Sequence, residues 1–245
     1  MQKKSRGSRA EQIRLALESE IISGRLKPGD VIDEAEVASR FKVSRTPTRE
    51  AILLLTHSGM VEKLPRKGAV VARIELGRLI HNFELMSELE SICARFAARR
   101  MTEEEKSALV RTHEASIKAL SDGDHDEYYA QSHKFHLRIM WGTHNEALIE
   151  VVDRLGIQLV PFRRFQLRYP GRSEANFSEH TEVLTAILAG DAEKAASLFR
   201  RHATVQGDAL AEYISIFNSP GGLRAISMSG AAAMQTASTS AESSI

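Results

Sequence analysis

The chain has 245 residues, 42% of them hydrophobic, and its 33 Lys+Arg nearly balance 32 Asp+Glu for a net charge of +1. That length and apolar content predict a two-domain globular protein with sizeable cores. No apolar run reaches the ~18 residues needed to span a bilayer and the N-terminus lacks a signal-peptide core, so a cytoplasmic protein is expected. The single cysteine, Cys93, excludes an intrachain disulfide and lies in an apolar helical pattern that suits a small buried side chain.

The charge is unevenly spread. Residues 1–75 hold 15 Lys+Arg against 10 Asp+Glu, and the remainder holds 18 against 22. A basic N-terminal part is the expected partner of nucleic acid. Residues 1–8 read as a flexible basic arm able to touch phosphates.

Residues 31–72 read as two short helices, a sharp turn and a basic hairpin. Asp33 and Glu36 have the spacing of an N-cap and its capping box, predicting a helix from Asp33 toward Phe41, with Val43 closing the turn. Ser44 is a second N-cap candidate, and Pro47 sits where its missing N–H costs little. On the helix that follows, Thr48, Ala51, Ile52 and Leu55 make a core stripe, while Arg45 and Arg49 share a neighbouring face. Such arginines at the start of a second helix suit the major groove, where arginine donates twice to guanine or pairs with phosphate. Val61 to Ala72 offers two short strands around Pro65, Arg66, Lys67 and Gly68, a wing with two cations at its tip. Each feature alone has an ordinary reading, as a core helix or a solvated loop; their order and spacing favour DNA binding.

From about Glu75 to Ser215 strand signals disappear and helices follow one another. Leu79, Phe83, Met86, Leu89, Cys93 and Phe96 repeat at helical spacing from Leu76 to Met101. Thr102 with Glu105 forms a capping box for a helix ending near residues 121–124. Further helices are predicted from His125 to Gly142 and from Glu146 to Arg168, the latter kinked or broken at Pro161. After a polar loop from Tyr169 to Asn176, Ser178 is expected to cap a helix through Leu188, and a last helix runs from Ala192 to about Ile216. The fold class is thus mainly α: a winged helix-turn-helix over residues 9–74, then an all-α antiparallel bundle over 75–218. Residues 219–245 are small and polar and are expected to be disordered. Nine histidines include His136, His180 and His202 on three different helices, at separations that carry no local metal-binding signature.

Residues 9–72 resemble the DNA-binding domain of the GntR family of bacterial transcriptional regulators. Gly24, Leu26, Pro28 and Gly29, then Val43-Ser44-Arg45-Thr46-Pro47 with Arg49-Glu50-Ala51, and Gly59, Pro65 and Gly68 carry the likeness. It implies operator contacts from Ser44, Arg45, Thr46 and Arg49 and from the wing residues Arg66, Lys67 and Gly68. Ala35 stands where some members carry a DNA-contacting arginine.

Phe135-His136, Glu179-His180, Ala189-Gly190-Asp191 and Arg201-His202 resemble the FCD-type ligand-binding domain of the FadR branch. The resemblance implies a divalent metal, Zn, Ni or Mn, held by His136, His180 and His202, with open positions for a carboxylate effector. The chain departs from that pattern twice. Ser132 replaces the Asp or Asn expected four residues before His136, which leaves a weak ligand, a bridging water or a purely organic site. Met86 replaces a family arginine, so Arg138, Arg163 and Arg164 become the candidate anion partners. The function expected is that of a homodimeric repressor on a pseudo-palindromic operator, tuned by a small carboxylic acid. Two alternatives are a metal-dependent enzyme built on the three histidines and an architectural DNA-binding protein without an effector.

Overall fold

The computed structural model describes residues 8–22, 24–65, 67–73, 75–167 and 171–204. The arm over residues 1–7, the wing-tip Arg66, the end of the last helix toward Ile216 and the tail over 219–245 lie outside them. The chain divides into two compact units, Met1–Asn82 with Glu146–Phe165, and Phe83–Asn145 with Gln166–Ile245. Among the described residues no helix is long and apolar enough to cross a membrane.

In the N-terminal unit, α1 (Arg9–Ile22) buries Ala10, Ile13, Leu17 and Ile21, positions three or four apart that form one apolar stripe. A two-residue strand β1 (Val31–Ile32) precedes α2 (Glu34–Phe41), whose N-cap Asp33 accepts from the N–H groups of Ala35 and Glu36 at 2.6 and 3.0 Å. Lys42 turns the chain at the end of α2 in the left-handed conformation (φ 53°), a role usually given to glycine. The recognition-type helix α3 (Arg45–His57) follows and buries Thr48, Ala51, Ile52 and Leu55, the stripe expected from spacing. Strands β2 (Val61–Leu64) and β3 (Gly68–Val71) form the wing, and Gly68 (φ +76°) supplies the positive φ where the second strand begins. β1 adds antiparallel to β3, giving the sheet order β1-β3-β2. Two residues are too few to show an alternation in sequence, so this third strand was not legible there.

The second unit is all helix. It contains α4 (Leu76–Arg100) from Phe83 onward, α5 (Glu103–Ser121), α6 (His125–Trp141), α8 (Arg172–Leu188) and α9, residues 192–204. Thr102 and Glu105 bond reciprocally at the start of α5, the capping box expected from sequence. The core is apolar around Met86, Cys93, Leu109, Phe135, Ile139, Val183, Ile187 and Phe199. Threaded through it is a set of buried polar groups: Glu90, Ser132, Ser173, Asn176, His180 and His202.

Two helix boundaries differ from the sequence reading. α7 (Glu146–Gln166) runs through Pro161 without a break, its neighbours Leu159 and Phe162 both buried, so packing outweighs the lost N–H. α8 begins at Arg172, inside the stretch through Asn176 that reads as a loop, with Gly171 (φ 74°) at its N-cap. Ser173 and Asn176 face inward, where Ser173 Oγ donates to the Leu167 carbonyl at 2.8 Å and Asn176 joins Tyr128 and Ser132. Their polarity serves the interior, and Ser178 lies within the helix rather than at its cap. Thr102→Ala should lower stability by about 1 kcal/mol, because the Glu105 N–H in the first turn loses the hydroxyl that accepts from it. A thermal melt of the full chain, compared with the exposed-face control Glu104→Ala, checks this.

Candidate metal centre and nucleic-acid interface

The first turns of α3 present Ser44, Arg45, Thr46 and Arg49 to solvent, as do Lys67 and Gly68 beside the wing tip. Ser44 takes the N-cap position, but its hydroxyl makes no bond to the helix it begins. Arg49 is held at its base: its Nε donates to Glu34 Oε2 on α2 at 2.8 Å. Both partners are exposed, so the pair contributes at most ~1 kcal/mol. Its effect is on direction, since it holds the guanidinium by Nε while the side chain stays exposed. Sequence reasoning missed Glu34, which lies 15 residues away and has no local signal. Arg45, Arg49 and Lys67 on one helix-turn-helix and wing form a surface suited to a groove and its phosphates.

In the other unit, α6, α8 and α9 bring His136, His180 and His202 together. Their Nε2 atoms lie 3.1 Å (His136 to His180), 3.3 Å (His180 to His202) and 3.3 Å (His202 to His136) apart. The outer nitrogens are committed elsewhere. His136 Nδ1 donates to Glu90 Oε1 on α4 at 2.8 Å, and His202 Nδ1 donates to Glu179 Oε2 at 2.6 Å. Arg172 grips Glu179 with both terminal nitrogens, at 2.9 and 3.0 Å. Stacking fixes two of the rings: Phe135 lies on His180 with centroids 4.4 Å apart and Phe199 beside His202 at 5.7 Å.

This arrangement fits a divalent ion. With both Nδ1–H groups given to carboxylates, neutral rings at His136 and His202 would face each other through lone pairs at 3.3 Å, a contact with no proton in it. A cation between them removes the repulsion. A tetrahedron with edges of this length has its centre about 2.0 Å from each corner, the usual zinc–imidazole distance. Carboxylates on the outer nitrogens set the tautomer and raise ligand basicity. Burial and the neighbouring imidazoles hold His180 well below its ordinary pKa. Burial brings His202 down to about 4, against the opposing pull of Glu179. Burial pushes the Glu179 carboxyl up, yet the bonds from His202 and Arg172 outweigh it and hold that group at about 2. Both imidazoles are therefore neutral near pH 7, as metal ligation requires.

The other sequence candidates are placed differently. Ser132 is buried, and its hydroxyl donates to Asn176 Oδ1 at 3.3 Å. Arg138 turns to α5, donating to Thr112 Oγ1 at 2.7 Å. Arg163 and Arg164 belong to the N-terminal unit, not to the one that holds the histidines. Met86 is fully buried in the apolar core. Glu90, Glu179 and Arg172 were not singled out from sequence. Glu179 adjoins His180 and Glu90 lies within an apolar helical stripe, where an acid is an anomaly; those were the available signals.

Comparison with known proteins places both parts. The family "Bacterial regulatory proteins, gntR family" matches residues 9–71, and the FCD domain matches residues 81–205. The HTH-type transcriptional regulator YdhC of Bacillus subtilis is 29% identical over 182 residues, covering 73% of this chain and 80% of that protein. The HTH-type transcriptional repressor RspR of Escherichia coli is 22% identical over 192 residues, covering 78% and 84%. Among solved structures, E. coli McbR/YncC superposes with a TM-score of 0.64 at 21% identity, over 84% of this chain and 99% of that one. These are transcriptional regulators, not enzymes. The chain belongs to the gntR family of bacterial regulatory proteins, its winged-helix DNA-binding domain followed by an FCD domain.

Proposed function

We propose that this regulator is a homodimeric repressor, acting in the bacterial cytoplasm, whose grip on a pseudo-palindromic operator responds to a small carboxylate bound at a metal in the helical domain. The observation that carries the reading is the convergence of three Nε2 atoms within 3.3 Å, with the outer nitrogens of His136 and His202 tied to Glu90 and Glu179. Zinc, nickel or manganese there supplies a Lewis-acidic centre with positions left for an anionic oxygen ligand. As ligands the three histidines would be neutral imidazoles and add no charge of their own, which suits an anionic ligand on the ion. Glu90 orients His136; Arg172 fixes Glu179, which orients His202. Phe135 and Phe199 hold the rings and exclude water from that side.

On the DNA side, Arg45 and Arg49 read base edges or phosphates from α3, while Lys67 and the wing hold the backbone. A dimer sets two such units on two half-sites. An effector changes operator affinity only through its different affinity for the DNA-competent and incompetent arrangements, a coupling of about 1–3 kcal/mol in typical cases. Repression is favoured by the name of the similar E. coli protein RspR.

Arg45→Ala and Arg49→Ala should each weaken operator binding by about 1–3 kcal/mol and relax sequence preference, read by titration against operator and scrambled duplexes. Lys67→Ala should instead weaken both duplexes alike and reduce the salt slope by about 1. Elemental mass spectrometry of untagged protein purified without chelator should find about one ion per chain, lost in His180→Ala.

Stripped of metal, the protein should lose stability in acid. His202 has a folded pKa of about 4 against an ordinary 6.5, so the unfolded chain binds the proton first. The contribution is intact above pH 6.5 and falls away as the pH drops toward 4, by about 3 kcal/mol in all. Glu179, depressed to about 2, adds a loss of the same sign below pH 4.5. Denaturant melts from pH 7.5 to 4 check the trend; flat stability across that range would count against buried neutral imidazoles.

A further inference from the structure

Arg49 lies in the first turns of α3, the part of a helix-turn-helix that meets DNA, yet it does not stand there as a bare cation. Its Nε donates to Glu34 Oε2 on α2 at 2.8 Å, while the two side chains stay 63% and 39% exposed. Only Nε is engaged, and the terminal nitrogens have no partner among the described residues. Their N–H groups remain free in the fork that matches the O6 and N7 acceptors of guanine.

DNA binding has two parts with different requirements. Phosphates are met by net charge, whatever the base sequence, whereas base edges are met by donors and acceptors placed in the groove. A guanidinium with a carboxylate at hydrogen-bond distance has little net charge to offer a phosphate. Its free N–H groups can still bridge a guanine. The pair needs no great strength for this, because Glu34 keeps its negative charge beside α3 even when the hydrogen bond opens.

Arg45 is treated differently. It is exposed one turn earlier on α3, and Asp33, the acid next to Glu34, spends its carboxylate on the N–H groups of Ala35 and Glu36 at 2.6 and 3.0 Å. No acid stands at hydrogen-bond distance from Arg45 among the described residues, so its charge remains available to phosphate. Glu34 and Glu36 both lie in the first turn of α2, where any acid gains from the helix dipole. That accounts for acidity at both positions but not for the pairing with Arg49, which Glu34 alone makes.

We propose that Glu34 is a specificity-determining residue: by pairing with Arg49 it cancels that arginine's pull on phosphates and keeps its terminal N–H groups for base edges. Glu34 thus lowers affinity for DNA at large and widens the gap between the operator and other sequences. This rests on the reading of Arg49 as a DNA contact.

The test uses full-length protein, the tightest duplex that the wild type selects from random-sequence DNA, and a scrambled duplex of the same composition. Glu34→Gln should tighten binding to the scrambled duplex by about three- to tenfold and steepen its salt slope by about 1, because one negative charge leaves the interface. Affinity for the selected duplex should stay within about threefold, so the ratio between the two falls. Glu36→Gln makes the same charge change on the same turn without an arginine partner, and should leave the ratio unchanged. In an Arg49→Ala background, Glu34→Gln should no longer move the ratio. Circular dichroism of each variant checks that it is folded. Equal tightening on both duplexes, or no change on either, would overturn the role of Glu34 while a loss of selected-duplex binding in Arg49→Ala kept the recognition helix standing. Unchanged binding in Arg49→Ala would overturn both.

Discussion

Two neutral imidazoles that have given their outer N–H to carboxylates can meet only through lone pairs, and the geometry of His136 and His202 in the middle of a helical unit sets up this meeting. Much of that unit is arranged around this constraint. Glu90 comes from α4, and Glu179 and Arg172 both come from α8, so three side chains beyond the histidines' own rings are committed to holding two nitrogens in place. Phe135 and Phe199 close over the rings with apolar surface. Such a cluster is a poor way to stabilise a core, because buried polar groups at best recover their desolvation cost. It is a good way to bind a cation that folding alone does not need.

The neighbouring layer of Tyr128, Ser132, Ser173 and Asn176 follows the same logic at lower charge. Each group has a partner on another helix or loop, so the layer sets the register of α6 against α8 in a way that apolar packing does not. That register in turn brings His136 to His180. The centre and its support are therefore one construction, and a change in either is felt by both.

At the other unit the physics is different, because the functional groups are exposed and screened. There the scaffold contributes direction: Lys42 in a left-handed turn sets α3 against α2, the apolar stripe from Thr48 to Leu55 fixes which face of α3 is outward, and Glu34 steadies Arg49. Little energy is stored in these contacts, and little is needed. Phosphates and base edges supply the strong interactions when DNA arrives.

The sequence by itself determined the helix-turn-helix, the wing and the run of helices, because those depend on caps, turns and apolar spacing within some 20 residues of chain. It also contained the three histidines, although only likeness to a family, not their spacing, grouped them. The true start of α8 was hidden because Ser173 and Asn176 are polar and buried, and polarity in a sequence does not say which side of the surface a residue occupies. The pairing of Glu34 with Arg49, of Glu90 and Glu179 with their histidines, and of Asn176 with Ser132 was decided by tertiary structure alone. These contacts join residues 15 to 46 positions apart in the chain, brought within hydrogen-bond reach only by helix packing, whose register no local pattern encodes.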